Sequence, residues 1–383
     1  MNGFPRGKAA VVGAATFGMG EAPGYSVVEL AAKASLLALE DAGLSVKEVD
    51  AVFGVLPQDM MGGVTFAEYM GIQPTFTDNN CTGGSSFQTH ALLAALALDA
   101  GLCDAALIFY GSNQRSAGRR SLVSTIPFPY ETPYKPFNPP TAYALAAARH
   151  MYEYGTTREQ LAEVAVSARQ WANLNPEAFM RGELTIEDCL NSRMVSDPLS
   201  VRDCCLVTDG AAAMVMVRAD RAKDLQKKPA YLLGAASATS HRHISESPDL
   251  CRTAAVDSGA RAFEQAGLTP KDIDVLELYD AFTINTILFL EDLGFCPKGE
   301  GGRFVEGGRT APGGELPVNT NGGGLSCVHP GMYGLFTMVE AAQQIRGNTG
   351  ERQISDVNLV LAHGNGGLLS SQVTTIFGSE ETL

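Results

Sequence analysis

The chain alternates between short, continuous apolar runs and longer stretches in which apolar residues recur with helical spacing. Residues 105–109 (AALIF) and 357–361 (VNLVL) are almost uniformly apolar, which is typical of strands that are buried on both faces of a sheet. Residues 88–99 (QTHALLAALALD) are rich in Ala and Leu and predict a buried helix. This alternation predicts an α/β fold whose sheets are covered on both faces.

One helix-and-strand unit occurs twice in the sequence. Residues 38–50 match residues 262–274 at a constant offset, with Gly43 opposite Gly267. Each copy has the pattern of an amphipathic helix that ends at its glycine, and an apolar strand follows each copy. The repeat therefore predicts a chain that is built from two duplicated halves.

The predicted N-terminal half comprises residues 1–112 together with 201–240, and the predicted C-terminal half comprises residues 241–383. A less regular insert, residues 113–200, lies between them. Its segment 126–140 is rich in proline and aromatic residues, and proline is unfavourable in helices and central strands, so we expect a loop insert. Such loops often form the wall of a substrate pocket, although a plain surface loop is the default.

Composition narrows the classes of function. The chain of 383 residues has 42 acidic and 28 basic side chains, and this net charge of −14 argues against nucleic acid or an anionic membrane as a partner. Asp99 and Asp104 interrupt the apolar stretch 91–109, so no membrane span is predicted, and no signal peptide is recognised. Eight scattered cysteines without a CxxC pair predict free thiols, a cytoplasmic location and no metal site.

Cys81 is the first candidate for chemistry. It follows the extended-looking residues 74–77 and precedes Thr-Gly-Gly-Ser-Ser and the predicted helix 88–99. A helix N-terminus favours a thiolate, which is the form of cysteine that attacks carbonyl carbon. The glycines allow a substrate to approach the backbone, whose N–H groups can hold an oxyanion. A buried structural cysteine explains the same local sequence equally well.

Three further candidates lie in the second half of the chain. His329 belongs to a Gly-rich run, residues 319–334, which by the repeat occupies the place that the Cys81 turn has in the first half. His363 follows an apolar strand and precedes a glycine turn, and Tyr279 ends the repeated strand. Polar residues at the ends of α/β strands commonly meet in an active site. Taken singly, each also has a plainer interpretation as a local hydrogen-bonding residue.

Together these motifs resemble the thiolase superfamily over nearly the whole chain. The motifs are the Cys81 turn, Tyr279-Asp-Ala-Phe, the run that ends in His329-Pro330, and His363-Gly-Asn-Gly-Gly. The likeness is strongest to the sterol-carrier-protein-type branch, and within it to benzoylsuccinyl-CoA thiolase and similar enzymes that work with a small zinc-ribbon/OB-fold subunit. The resemblance implies two duplicated βαβαβαββ halves in five layers, α-β-α-β-α. It also implies an acyl-CoA substrate, coenzyme A as co-substrate, no covalently bound cofactor and a homodimer.

The resemblance also implies a reaction, the cleavage of a 3-oxoacyl-CoA by free CoA or the reverse condensation. Cys81 would carry the acyl group, His329 would take its proton, and His363 would protonate the enolate. Tyr279 stands where most thiolases have Asn or His, and His363 stands where most have a second cysteine. We expect Tyr279 and His329 to help hold the enolate oxygen.

Backbone groups and the insert complete the expected site. The N–H groups of Cys81 and of the glycine turn, Gly364, Gly366 and Gly367, would form the hole for the first tetrahedral oxyanion. The aromatic residues of the insert between Phe128 and Tyr143 favour a bulky or aromatic acyl group, although they would serve equally well to fix the loop.

Three alternatives remain open from the sequence. A retro-aldolase that acts on a 3-hydroxyacyl-CoA would use Tyr279 as its acid/base and would need no thiol nucleophile. An acyltransferase would pass the acyl group to an acceptor other than CoA. A non-enzymatic scaffold subunit would only bind acyl-CoA, and the presence of Cys81, His329 and His363 argues against it.

Overall fold

The structure of the protein is a computed structural model, which describes residues 3–57, 59–118 and 128–383. The strands of the described residues are β1 (Ala9–Gly20), β2 (Ala51–Val55), β3 (Phe76–Asp78), β4 (Ala105–Ser112), β5 (Met194–Ser196), β6 (Leu199–Ser200), β7 (Asp209–Arg218), β8 (Ala230–Thr239), β9 (Val275–Leu278), β10 (Leu359–Gly366) and β11 (Ser371–Gly378). The α-helices are α1 (Val27–Ala42), α2 (Gly62–Met70), α3 (Ser86–Asp99), α4 (Pro140–Tyr154), α5 (Arg158–Asn173), α6 (Ile186–Leu190), α7 (Ala219–Ala222), α8 (Ala255–Ala266), α9 (Thr283–Asp292), α10 (Gly301–Phe304) and α11 (Gly334–Arg346).

The main sheet consists of two half-sheets. Its strand order is β3-β2-β4-β7-β1-β8-β11-β10-β9. The first five strands form one half-sheet from the predicted N-terminal half, and the last four form the other, in which β8 (residues 230–239) lies in the segment predicted for the N-terminal half. The two half-sheets are joined where β1 pairs with β8, through the antiparallel partners Ala10 with Tyr231 and Val11 with Ala230. In each half, a parallel pair (β2 with β4, β9 with β10) is followed by an antiparallel neighbour.

Five layers result from the packing of the helices. α3 and α11 contact strands of both half-sheets and therefore form the middle layer. α1 covers the other face of the N-terminal half-sheet together with α2, and α8 covers the other face of the C-terminal half-sheet. The predicted α/β fold with two duplicated halves in an α-β-α-β-α arrangement is thus confirmed.

The sequence repeat begins with the same helix end in both halves. α1 ends at Gly43 with φ 70°, and α8 ends at Gly267 with φ 68°. This left-handed conformation is costly for residues with a side chain, which explains the glycine at both positions. The predicted C-terminal ends of both helices agree with the structure.

The repeat continues with an aspartate in front of each following strand. Asp50 accepts a hydrogen bond of 2.9 Å from the backbone N–H of Ala105, at the start of β4. Asp274 accepts hydrogen bonds of 2.8 Å from the N–H groups of Asn358 and Leu359, at the start of β10. In each half, the aspartate therefore fixes the start of one parallel strand relative to its neighbour.

The insert differs from the expected loop. It contains the helices α4, α5 and α6 and the β5–β6 hairpin, and the largely irregular parts of its described residues include 128–139, which precede α4, and 174–185, which join α5 to α6. Pro140 occupies the first turn of α4, where a proline is tolerated because the missing N–H has no helical partner. Thr157 begins α5 with a capping box. Residues 119–127 of the predicted insert lie outside the described residues, and the predicted domain boundaries stay a prediction.

No helix of the described residues is long and apolar enough to span a membrane.

Candidate active site

The turn that carries Cys81 lies between β3 and α3. Its thiol is exposed and has no hydrogen-bond partner among the described residues. Ser86 orders the turn, because its Oγ accepts from the Thr82 N–H (2.8 Å) and donates to the Gly83 carbonyl (2.7 Å). We expected Cys81 to lie at the N-terminus of the helix. α3 begins at Ser86, however, so that a short turn separates Cys81 from the helix. The helix dipole weakens within about one turn, and its effect on the thiol is correspondingly smaller.

Tyr279 and His329 form a buried polar pair. The Tyr279 Oη and His329 Nε2 atoms are 3.1 Å apart, and both side chains are largely shielded from solvent. Burial lowers the pKa of His329 to about 4 and raises the pKa of Tyr279, because both charged forms lose their hydration. Near neutral pH the pair is therefore a neutral phenol and a neutral imidazole that share one hydrogen bond. Such a pair can exchange a proton with a substrate in either direction.

The backbone around Tyr279 is fixed by three hydrogen bonds. The N–H of Leu278 donates to Asn319 Oδ1 (2.6 Å), and the N–H of Tyr279 donates to the carbonyl of His363 (3.0 Å). Asn285 Nδ2 donates to the Tyr279 carbonyl (3.3 Å). Residues from three separate parts of the C-terminal half thus hold the phenol in place.

Tyr333 extends the pair to a cluster of three rings. Its ring packs edge-on against Tyr279 with 5.8 Å between the centroids and lies 6.4 Å from the ring of His329. Its hydroxyl donates to Asn321 Oδ1 at 2.8 Å. A second phenol is therefore packed against the Tyr279–His329 pair.

Asp280 holds the turn that leads to His329. Its carboxylate accepts from the Gly324 N–H (2.6 Å), and burial raises its pKa to about 7. Gly323 has φ 66°, and a side chain there would overlap the Asp280 carboxyl. This close approach explains why glycine is needed at the start of the turn from Gly323 to Cys327.

Three turns meet at one place. A side chain on Gly84 would overlap the ring of Tyr279, and a Cβ atom on Gly83 would lie 2.8 Å from the backbone N of Gly367 and 2.9 Å from Cα of Gly366. The structure therefore brings the Cys81 turn against both the Tyr279–His329 pair and the glycine turn 366–367. Their contact depends on the absence of side chains at Gly83 and Gly84.

His363 points away from this place. Its ring packs against Phe289 of α9, with 4.5 Å between the centroids. The next residue, Gly364, faces the middle layer, since a side chain there would overlap Gln88 of α3. Neighbouring residues of a strand point to opposite faces of the sheet. His363 therefore lies on the face that is turned away from α3 and the Cys81 turn.

Both ring nitrogens of His363 are also occupied. Nδ1 is 2.9 Å from Thr374 Oγ1, and Nε2 is 2.9 Å from Gln372 Oε1. Burial lowers the pKa of His363 to about 4, so that the ring is neutral near neutral pH. In the structure, His363 does not lie where it could protonate an enolate beside Cys81. The predicted role of His363 as the acid that protonates the enolate is therefore corrected.

All eight cysteines are free thiols. In the described part of the chain, no group of three or more His, Cys, Asp and Glu residues is arranged to hold a metal ion.

Comparison with known proteins identifies the family. Residues 236–379 match the family described as "Thiolase C-terminal domain-like". The acetyl-CoA acetyltransferase of Methanothermobacter thermautotrophicus is 35% identical over 96% of this chain and 98% of its own length. The chain belongs to the thiolase superfamily.

Two further proteins match along their whole length. The 17-hydroxy-3-oxo-4-pregnene-20-carboxyl-CoA lyase of Mycobacterium tuberculosis is 34% identical over 95% of this chain and 98% of that protein. Among solved structures, the Ltp2–ChsH2(DUF35) aldolase superposes with a TM-score of 0.90 at 32% identity and covers 98% of both chains. The superfamily members that resemble this chain thus include an acetyltransferase, a lyase and an aldolase.

Partial matches place the chain in the sterol-carrier-protein-type branch. Sterol carrier protein 2 of Oryctolagus cuniculus is 34% identical over 62% of this chain and 45% of that protein. Subunit BbsB of the benzoylsuccinyl-CoA thiolase of Thauera aromatica is 36% identical over 59% of both chains. The predicted family and branch are therefore confirmed.

Two residues that support the Tyr279–His329 pair, Tyr333 and Asp280, were not among the candidates from the sequence. Both occur inside motifs that were recognised, and Asp280 directly follows Tyr279. Their signal was the presence of a phenol and a carboxylate in Gly-rich or strand-end positions, where buried polar side chains need partners.

The aromatic side chains of the insert are divided between the surface and the interior. Tyr130, Tyr134 and Phe137 are largely exposed, at 74%, 85% and 65%. Tyr143 is buried, and its ring stacks on the ring of Phe282, three residues after Tyr279, with 4.3 Å between the centroids. Of these residues, Tyr143 is therefore the one that packs beside the site.

Proposed function

We propose that this protein makes or breaks the carbon–carbon bond between C2 and C3 of an acyl-CoA, that is, between the carbons α and β to the thioester carbonyl. The observation that carries the proposal is the hydrogen bond of 3.1 Å between Tyr279 and His329 beside the Cys81 turn. Cleavage of this bond leaves an enolate, which needs hydrogen-bond donors at its oxygen and a proton for its carbon. A neutral phenol and a neutral imidazole in a buried site can supply both.

In the first version the enzyme is a thiolase with an acyl-Cys81 intermediate. The Cys81 sulfur forms a bond to C3 of a 3-oxoacyl-CoA while its proton passes to His329. The C2–C3 bond then breaks, its electron pair forms the enolate of a shorter acyl-CoA, and Tyr279 or His329 returns the proton to C2. Free CoA finally takes the acyl group from Cys81. Gly366 and Gly367, beside the Cys81 turn, and Gly364 remain the proposed oxyanion donors.

The thiolase version is tested by mass spectrometry of the intact protein. A panel of 3-oxoacyl-CoAs, including bulky and aromatic ones, is added without free CoA. We expect a covalent adduct on Cys81, and its mass identifies the acyl group. Cys81→Ala should give no adduct and no thiolysis, whereas Cys103→Ala, which removes a buried thiol in front of β4, should give both. Full thiolysis by Cys81→Ala would exclude an acyl-enzyme on this residue.

A specific observation favours a second version, a retro-aldolase. His329 Nε2 is hydrogen-bonded to the Tyr279 hydroxyl, whereas the Cys81 thiol is exposed and has no hydrogen-bond partner in the described part of the chain. Acting together, Tyr279 and His329 would remove the hydroxyl proton of a 3-hydroxyacyl-CoA. The C2–C3 bond then breaks, C3 becomes a carbonyl, and the resulting enolate is protonated at C2. This reaction needs no thiol and no free CoA.

The two versions differ in their response to two substitutions. A retro-aldolase with Cys81→Ala should still cleave a 3-hydroxyacyl-CoA in the absence of free CoA, and Tyr279→Phe should not. A thiolase should lose cleavage of the 3-oxo substrate in both variants. Liquid chromatography of the CoA products with each substrate class decides between them.

We also propose that the protein acts in an assembly. β3 ends the strand order, so one of its edges has no strand partner among the described residues, and thiolases pair their subunits through strands. We expect a homodimer with about twice the 40.5 kDa of one chain, which light scattering would measure. The matched BbsB chain is a subunit, and the matched aldolase structure names a DUF35 partner. A small zinc-ribbon/OB-fold subunit is therefore a candidate partner, and co-purification with stoichiometric zinc tests it.

A further inference from the structure

The hydrogen bonds of His363 belong to a longer buried chain that starts on the outer layer. Ser258 of α8 and Thr374 of β11 have their hydroxyl oxygens 3.0 Å apart, and Thr374 Oγ1 is 2.9 Å from His363 Nδ1. All three residues are fully buried. This row of hydrogen bonds therefore runs from α8, the helix that covers the C-terminal half-sheet, into the strands of that half-sheet.

The row of hydrogen bonds continues from His363 to the glycine turn. His363 Nε2 is 2.9 Å from Gln372 Oε1, and Gln372 Nε2 donates to Asn365 Oδ1 at 2.8 Å. Asn365 Nδ2 donates to Tyr143 Oη at 2.8 Å, and Tyr143 donates to the carbonyl of Gly367 at 3.1 Å. Every polar side-chain group along this path has a partner; the side chains of the path are buried, and only its end at Gly367 is exposed.

These bonds are consistent only if they all run in one direction. The amide oxygen of Gln372 can only accept, so His363 donates from Nε2. Burial keeps the ring neutral, so its Nδ1 carries no proton and accepts from the hydroxyl of Thr374. Thr374 in turn accepts from Ser258. His363 therefore has one defined tautomer, with its proton on Nε2.

The end of the chain lies at the candidate active site. Gly367 is next to Gly366, and a side chain on Gly366 would overlap the carbonyl of Thr82 in the Cys81 turn. A Cβ atom on Gly83 would lie 2.8 Å from the backbone N of Gly367. A hydrogen bond to the Gly367 carbonyl thus acts on the backbone that touches the Cys81 turn.

We propose that His363 is a positioning residue for the reaction. As the Nε2–H tautomer, His363 accepts a hydrogen bond on the side of Ser258 and Thr374 and donates one on the side of Tyr143. It thereby sets the donor and acceptor roles along the path, and Tyr143 at its end holds the turn at Gly366 and Gly367 against the Cys81 turn. The proposal rests on the proposed function, because it assigns the oriented turn to carbon–carbon bond cleavage. In this role, His363 transfers no proton to the substrate. It orients the groups that bind the substrate.

The first experiment reads the tautomer directly. The protein with ¹⁵N-labelled histidine is studied by NMR between pH 5.5 and 8, and the His363 signals are assigned by their loss in His363→Gln. We expect a protonated Nε2 and an unprotonated Nδ1 throughout this range. A proton on Nδ1, or titration near the ordinary pKa of about 6.5, would overturn the proposal.

The second experiment uses two neighbouring threonines of β11 as a matched pair. Thr374 lies in the chain, whereas the equally buried Thr375 donates to the carbonyl of Ala362 instead. Each is changed to Val, which has nearly the same shape. We expect Thr374→Val to lower kcat about tenfold with KM within twofold, because one bond of the chain is lost. Thr375→Val should stay within twofold for both, and equal effects of the two variants would contradict the proposal.

His363→Gln separates positioning from acid/base chemistry. The amide can still donate to Gln372, so we expect a kcat close to that of Thr374→Val and an unchanged pH profile. A loss of more than about a thousandfold together with a lost limb of the pH profile would show direct proton transfer instead.

Failure of the proposed function is recognisable separately. If neither a 3-oxoacyl-CoA nor a 3-hydroxyacyl-CoA is turned over, the proposed function has failed. Amide hydrogen exchange of residues 364–370 then decides the positioning role. Exchange should be faster in Thr374→Val than in Thr375→Val, and equal exchange in both would overturn the role.

Discussion

At the scale of single residues, burial sets the chemistry of the site. Tyr279 and His329 are neutral near pH 7 because both charged forms lose their hydration in the interior. A neutral imidazole can accept a proton, and a neutral phenol can donate one. Both versions of the proposed function use this property, and they differ in the substrate and in whether Cys81 and free CoA take part.

Tyr279→Phe should therefore reduce cleavage whichever version is correct. The hydroxyl that contacts His329 is lost while the ring remains, and we expect kcat to fall by a factor on the order of a hundred or more. Steady-state kinetics with the preferred substrate measures this. Tyr231→Phe is a matched control, because Tyr231 is equally buried in β8 and its hydroxyl has no partner in the described residues. Comparable losses in both variants would argue against a role for the Tyr279 hydroxyl.

The buried side chain of His90 should make the free energy of unfolding depend on pH in the acidic range. Burial lowers its pKa to about 4, and neither ring nitrogen has a hydrogen-bond partner in the described part of the chain. The unfolded chain binds this proton near pH 6.5, whereas the folded protein binds it only near pH 4. The free energy of unfolding therefore falls as the pH decreases from 6.5 to 4.

His90→Phe should remove this part of the acid sensitivity. Relative to its own value at pH 7.5, the free energy of unfolding at pH 5 should fall by about 2 kcal/mol less in the variant than in the unchanged protein. Urea denaturation at the two pH values provides the measurement. An identical pH dependence of both proteins would show that His90 is not buried and neutral.

At the scale of elements, the sequence predicted what local patterns determine. The helix ends at Gly43 and Gly267 follow from glycine chemistry, and the buried strands follow from their apolar runs. The side-chain direction of His363 could not be predicted in this way. Its strand is buried on both faces, so the sequence contains no polar–apolar alternation that would show which face His363 occupies. The helices of the insert were missed because the prolines that precede α4 obscured its start at Pro140.

The repeated aspartates give a prediction at this scale. Asp50→Ala and Asp274→Ala each remove a carboxylate that accepts backbone N–H groups of the neighbouring strand. We expect each to lower the free energy of unfolding by about 1–2 kcal/mol. Because the two sites lie in different halves, the effects should add within about 0.5 kcal/mol in the double variant.

Chemical denaturation measures these changes, and Asp274→Asn is the control. Both N–H groups donate to the same oxygen, Oδ2 of Asp274, so the amide oxygen of the variant can accept both hydrogen bonds, and the variant should be less destabilised than Asp274→Ala. Two single variants without any measurable loss would mean that these contacts do not stabilise the repeat.

At the scale of the whole molecule, the site is assembled from distant parts of the chain. The Cys81 turn comes from the N-terminal half, whereas Tyr279, His329 and the turn at Gly367 come from the C-terminal half. The repeat and the family resemblance predicted that the halves would face each other. Distances between them depend on packing in the middle layer, and no local pattern contains that information.

The one-directional path from Ser258 to Gly367 has an electrostatic consequence. Each donor–acceptor step is a small dipole, and dipoles that point the same way add along the path. Their positive ends point toward Gly367, so the path raises the potential at the turn beside Cys81. Negative charge that develops there during a reaction is stabilised by a field that originates two layers away, on α8.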